Sequence, residues 1–172
     1  MVRLYREDDR ESLWDLKRGF ERALGSGTGG DAKQARYEAK LDAEYREGYL
    51  EWVERCVAEQ PRAVQVAERG GGRGGDDDGE DDSTLAGYVF VLPESLTYIW
   101  DAAVVNELFV RDSYRGTGLA DDLMEAALVV AREQDTPLER VVLDVDPDNE
   151  RARAFYDRWG FEPWGEILAR SL

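Results

Sequence analysis

Leu13, Leu16, Phe20 and Leu24 recur at three and four residues, which predicts one face of a helix. Asp8 with Glu11 three residues on gives an Asp form of the capping box at its start, and residues 2–5 before it read as a short strand. The glycine-rich stretch 25–30 stops this helix as a flexible linker. A second helix follows, with Tyr45, Tyr49, Trp52, Val53, Cys56 and Val57 on its apolar stripe, so Cys56 reads as a structural thiol. After Pro61 the period changes to two: residues 63–67 and 85–92 read as paired strands, and residues 102–110 as a third. Leu119, Leu123, Ala127 and Val130 line a further helix. Residues 140–146 form a fourth strand of this group, broken by Pro147, Asp148 and Asn149. These open a helix carrying Ala152, Phe155, Tyr156 and Trp159 on one face, stopped by Gly160. Residues 164–169 read as a last strand. This order predicts an α/β chain of the mixed α+β kind, a single domain over 1–172 whose central sheet is flanked by helices.

Residues 70–83 interrupt the pattern with six glycines and six acids, and are expected to be a solvated, disordered hairpin loop. Their acids lack the ligand spacing of an EF-hand, so no metal site is expected there. The absence of His excludes Ser-His-Asp and Cys-His mechanisms, and a single Cys excludes a four-cysteine zinc site. The formal net charge of −16 excludes a broad electrostatic footprint on nucleic acid. Only Lys17, Lys33 and Lys40 are lysines among the 22 basic residues; the rest are arginines. Such an acid-rich, lysine-poor composition resembles that of proteins from salt-loving microbes. With no long apolar run and no signal-peptide pattern, no membrane association and a cytoplasmic location are expected. The Trp-bearing C-terminal segment is a surface on which a homodimer could form.

The segment carrying chemistry runs from Asn106 to Ala120. A strand ends, a turn with Gly116 and Gly118 allows close backbone approach, and a helix begins with N–H groups that have no partner within the helix. Phosphate would be held there by those N–H groups and the helix dipole, with Arg115 or Arg111 adding charge. The turn is neither a Walker A loop nor a complete dinucleotide fingerprint.

Arg115-Gly116-Thr117-Gly118-Leu119-Ala120 resembles the Arg/Gln-x-x-Gly-x-Gly/Ala motif of the GNAT family of N-acetyltransferases. Downstream, Asn149, Ala152, Phe155-Tyr156 and Gly160-Phe161 resemble that family's Asn-x-x-Ala-x-x-Phe-Tyr-x-x-x-Gly-Phe segment. The resemblance implies a mostly antiparallel sheet with the acyl-CoA N-acyltransferase fold, and acetyl-CoA as cosubstrate without a metal. The backbone of Arg115, Gly116, Thr117, Gly118, Leu119 and Ala120 would cradle the pyrophosphate, and Asn149 would bond the pantetheine arm. A free N–H among Leu108, Phe109 and Val110 would polarise the thioester carbonyl, beside a strand splayed around a bulge. Tyr156 would protonate the departing thiolate. For the amine's proton the implied group is Glu107 through water, with Asp144 or Asp101 as alternatives. Residues 25–30 and the stretch around Tyr37 to Tyr49 would wall the acceptor. The expected activity is acetyl transfer to a primary amine of a small molecule or peptide; the alternative is a non-catalytic acyl-CoA-binding module.

Overall fold

The computed structural model describes residues 1–26, 30–68 and 85–170. Five strands form one sheet in the order β1-β2-β3-β4-β5: Val2–Leu4, Val64–Glu68, Leu85–Val91, Ala103–Val110 and Val141–Val142. The first four pair antiparallel and β5 joins β4 in parallel. Five helices accompany them: α1 Arg10–Ser26, α2 Gly30–Ala39, α3 Ala43–Glu59, α4 Leu119–Glu133 and α5 Glu150–Arg158.

Apolar spacing decides which face each helix covers. Leu13 and Leu16 of α1 pack with Leu50 and Val53 of α3 on one side of the sheet, against Tyr88 and Phe90. Leu119, Leu123, Ala127 and Val130 of α4 cover the other side, against Ala86, Val89 and Val91. With both faces covered, every residue of β3 is buried. Cys56 is buried in the first layer, and burial pushes its thiol up, as suits an inert structural cysteine.

Several expected elements differ. A 3-10 turn at Glu7–Asp9 precedes α1, and Asp9 rather than Asp8 does the capping: it accepts the Arg6 N–H at 2.8 Å and pairs with Arg3 at 2.7 Å. The helical region after the linker is two helices, broken where Asp42 caps α3 by accepting the Tyr45 N–H. Helix α1 runs through Ser26 and α2 starts at Gly30, while the middle of the glycine stretch and the expected loop at 70–83 lie outside the described residues. The strand expected over 140–146 is confined to two residues, because the chain turns away from β4 after Val142. Residues 164–169 form no strand: Trp164 packs its ring 4.0 Å from the Arg140 guanidinium, and Ile167 and Leu168 are exposed. Among the described residues, no helix is long and apolar enough to cross a membrane.

Gly87 sits where β3, β4 and α4 approach most closely. A Cβ there would lie 2.6 Å from the Phe109 carbonyl oxygen, with Val110 and Leu123 crowding the same point. Gly87→Ala is therefore expected to cost about 1–3 kcal/mol in urea unfolding, since backbone must move to admit the methyl group. A loss below about 0.5 kcal/mol would contradict this packing.

Candidate active site

The site grows from the way β4 treats its two neighbours. Toward β3 it pairs along its length, but Phe90 faces Glu107 while Val91 faces Val105, so Asn106 is the extra residue of a β-bulge. Toward β5 it pairs only at Ala103 and Val104. Beyond that point the two strands part. The Arg111 N–H donates to the Ala86 carbonyl at 2.9 Å. Antiparallel alternation then turns the backbone groups of Glu107 and Phe109 to β3, and those of Leu108 and Val110 into the gap. Of the three residues expected to offer a free N–H, Leu108 and Val110 face the gap and Phe109 does not.

The gap widens into a cleft of about 590 Å³, bordered by Leu108 and Val110, by Leu143 and Val145 on the diverging side, and by Ala152 and Tyr156 of α5. At one end lies the glycine turn. Gly116 and Gly118 have φ of 78° and 87°, a region that disfavours side chains, and a Cβ on either would meet nothing within 4 Å. They are glycines for their backbone shape, and the space before them is open. Among the described residues, no protein acceptor takes the N–H of Gly116, Thr117, Gly118, Leu119 or Ala120. The Arg115 N–H is already given to the Asp112 carbonyl at 3.2 Å, and the Arg115 guanidinium pairs with the Asp112 carboxylate at 2.5 Å at the border of the cleft. The Thr117 hydroxyl donates to the Tyr114 carbonyl at 2.7 Å, and the Leu119 side chain is buried under the sheet.

Helix α5 supplies the opposite wall. Its first turn is capped by Asn149, whose side chain accepts the Ala152 N–H at 3.1 Å and which also borders the cleft. Its last turn is tied to α4 by Asp121, which accepts from Arg158 at 2.6 Å and from the Trp159 indole at 3.0 Å. Between these ties Tyr156 is half-buried at the cleft, its ring against Phe155 and Phe161. Burial pushes its phenol up to about 12, so it holds its proton through neutral pH.

The acidic candidates separate. Asp144 is exposed at the cleft's diverging wall. Asp101 is not at the cleft; it sits before β4 with φ of 52°, its carbonyl taking the Leu138 N–H. Glu107 borders the cleft, but its carboxylate is buried and already engaged. Oε1 accepts from Lys17 at 2.6 Å and Asn106 at 3.2 Å, and Oε2 from Tyr49 at 2.8 Å and Tyr88 at 2.6 Å. Lys17 also pairs with Glu21 at 2.7 Å, and Glu21 with Lys40 at 2.8 Å. Burial alone would push the Lys17 ammonium down; Glu107 and Glu21 together more than reverse this, and it sits above its usual range. Burial, reinforced by the Glu107 charge, holds the Tyr49 and Tyr88 phenols well above theirs.

Sequence reading missed Lys17, Tyr49 and Tyr88 as partners of Glu107, and Glu21 as the second partner of Lys17. One signal was available: Lys17 and Glu21 stand four apart on the same helical face as Leu13, Phe20 and Leu24, where charges are out of place unless paired. The stretches expected to wall the acceptor, 25–30 and around Tyr37 to Tyr49, are not among the described residues that border this cleft. Phe20, Ala23 and Leu24 of α1 border it instead, and Tyr45 and Tyr49 stack on each other in the layer on that side of the sheet.

The acetyltransferase (GNAT) family is matched by residues 33–161. A 5-NmdU N-acetyltransferase of Pseudomonas phage PaMx11 is 41% identical over 107 residues, 59% of this chain and 67% of that protein. A Bacillus subtilis (strain 168) protein, provisionally assigned as a ribosomal protein bS18-alanine N-acetyltransferase, is 29% identical over 86 residues, 50% of this chain and 52% of its own length. The match thus spans about half of that curated relative. Among solved structures, a PaiA N-acetyltransferase from Thermoplasma acidophilum in complex with coenzyme A superposes with a TM-score of 0.64 at 17% identity, covering 94% of this chain and 89% of that one. At that identity the likeness establishes the fold.

The Tyr156 environment has a measurable consequence. A phenol that keeps its proton to about 12 when folded, against 10.0 ordinarily, stabilises the folded chain fully below pH 10 and loses that contribution as pH rises toward 12. Urea unfolding should therefore show wild-type stability falling more steeply than that of Tyr156→Phe across this window. Equal slopes would contradict the burial of this phenol.

Proposed function

Because the chain belongs to the acetyltransferase (GNAT) family, we propose that it transfers an acetyl group from acetyl-CoA to a primary amine of a small molecule or peptide, by direct attack in a ternary complex. The observation that carries this reading is the pairing of free Leu108 and Val110 amides in a strand gap with an open glycine turn at the end of the same strand. The residues fit the cosubstrate. A pyrophosphate is an anion of several oxygens, and the turn offers N–H groups at a helix N-terminus with Arg115 beside them. Bound there, acetyl-CoA supplies the thioester carbon that the amine attacks.

Each residue then has a bounded task. Gly116, Thr117, Gly118, Leu119 and Ala120 hold the pyrophosphate through their N–H groups. Asn149 caps α5 and offers its amide to the pantetheine arm. The Leu108 or Val110 N–H takes up negative charge on the carbonyl oxygen as the C–N bond forms. Tyr156, still protonated at neutral pH, gives its proton to the thiolate as the C–S bond breaks. The amine must attack neutral, and its proton leaves to water at the cleft mouth beside Asp144. The products are the acetamide and free CoA, and the reaction needs no metal. We place it in the cytoplasm of a salt-adapted cell, acting without nucleic acid or membrane.

Titration with acetyl-CoA in about molar KCl, which screens the chain's charge of −16, should show saturable binding. A CoA-release assay over small amines and peptides should then show turnover. Gly118→Val should weaken acetyl-CoA binding about tenfold or more, because a β-branched residue cannot hold φ of 87° without strain. Tyr156→Phe should lower kcat about tenfold to a hundredfold with acetyl-CoA affinity unchanged. Absence of binding by folded protein would overturn the reading; binding without turnover on any amine would make the chain a binding module.

A further inference from the structure

We propose that the buried Lys17–Glu107 pair is a positioning device that fixes the bulge of β4, holding the Leu108 and Val110 amides in the cleft, and that Glu107 takes no proton from the acceptor amine. This rests on the acetyl-transfer reading for its catalytic consequence, though its structural half stands alone.

Four donors meet the two carboxylate oxygens of Glu107: Lys17, Asn106, Tyr49 and Tyr88. A carboxylate has about four acceptor positions, so a water relaying a proton would have to displace one of these donors. The donors come from α1, α3 and β3, together with the bulged residue itself. Glu107 therefore pins β4, one residue past the bulge, to the whole layer on that side of the sheet. The placement matters because side chains and amides alternate along a strand. If the bulge were lost and the strand past it slipped by one residue against β3, every later residue of β4 would turn over, taking the Leu108 amide from the gap to β3. Such a slip would also pull the Glu107 carboxylate away from Lys17, and an unpaired charge buried there is strongly unfavourable. The ion pair makes the bulged register far more stable than the slipped one. Lys17 is held in turn by Glu21, and Glu21 by Lys40 and the Tyr45 hydroxyl, so the anchor extends to the surface.

The test compares wild type, Glu107→Gln, Lys17→Gln and the double variant K17Q/E107Q. In the double variant the amide oxygen introduced on β4 can accept both tyrosine hydroxyls, while the nitrogen of the same amide donates to the amide introduced on α1. A neutral, hydrogen-bonded anchor is thereby restored. The single variants should lose kcat about tenfold to a hundredfold, the penalty of misplaced groups. They should also shift the Leu108 and Val110 amide resonances. The double variant should recover most of that kcat, the wild-type pH profile and the wild-type amide positions. A folded double variant no more active than Glu107→Gln, or a Glu107→Gln enzyme at the wild-type rate, would overturn the proposal. Should either single variant fail to fold, the double variant against wild type decides alone. If wild type neither binds acetyl-CoA nor turns over, the acetyl-transfer reading fails instead, and the amide resonances still report on the anchor.

Discussion

Past Val104, β4 loses its neighbour on one side while keeping β3 on the other. Backbone N–H and C=O groups in a sheet normally find partners, and a buried strand with unpaired groups is unfavourable unless a ligand or water takes them. Most of what distinguishes this chain from a plain layered sheet follows from that parting. The cleft is the space between the diverging strands, α5 closes its far side, and the glycine turn stands at the end of the same strand. A longer β5 would pair with Leu108 and Val110 and erase the site.

The parting is maintained by polar interactions in a place where apolar ones would suffice for stability. A Lys, two Glu and two Tyr side chains are enclosed between α1, α3 and the sheet, each held by an ion pair or a hydrogen bond. Buried ion pairs contribute little net stability, yet they discriminate sharply between correct and shifted arrangements. That property suits a strand that must keep its bulge and not slip past it. On the other side of the cleft the ties are at the surface, where Asp121 joins α4 to α5 through Arg158 and Trp159.

Much of this was legible in the sequence because local rules and tertiary structure agreed. The α4 stripe, the fully apolar β3, the Asn149 cap and the two positive-φ glycines of the turn all stand where periodicity and turn chemistry put them. The strand over 140–146 was over-read because its alternation of Val, Leu and Asp satisfies a strand template, while the divergence of β5 is a property of its neighbour. Residues 164–169, with Trp164, Ile167 and Leu168, were over-read because a segment is a strand only if an edge receives it. The role of Glu107 was the least legible. A sequence shows a carboxylate near a proposed thioester, but only the fold shows that Lys17, ninety residues earlier, occupies it.

The central claim is that acetyl-CoA lies between the parted strands with its phosphates at the glycine turn. The most direct measurement is amide NMR of the isotopically labelled chain titrated with acetyl-CoA. The account predicts that the amides of Leu108, Val110 and Gly116 through Ala120 shift together with one saturation curve, while Phe109, bonded to β3, shifts far less. Shifts confined to the turn, or a Phe109 response equal to that of its two neighbours, would contradict it.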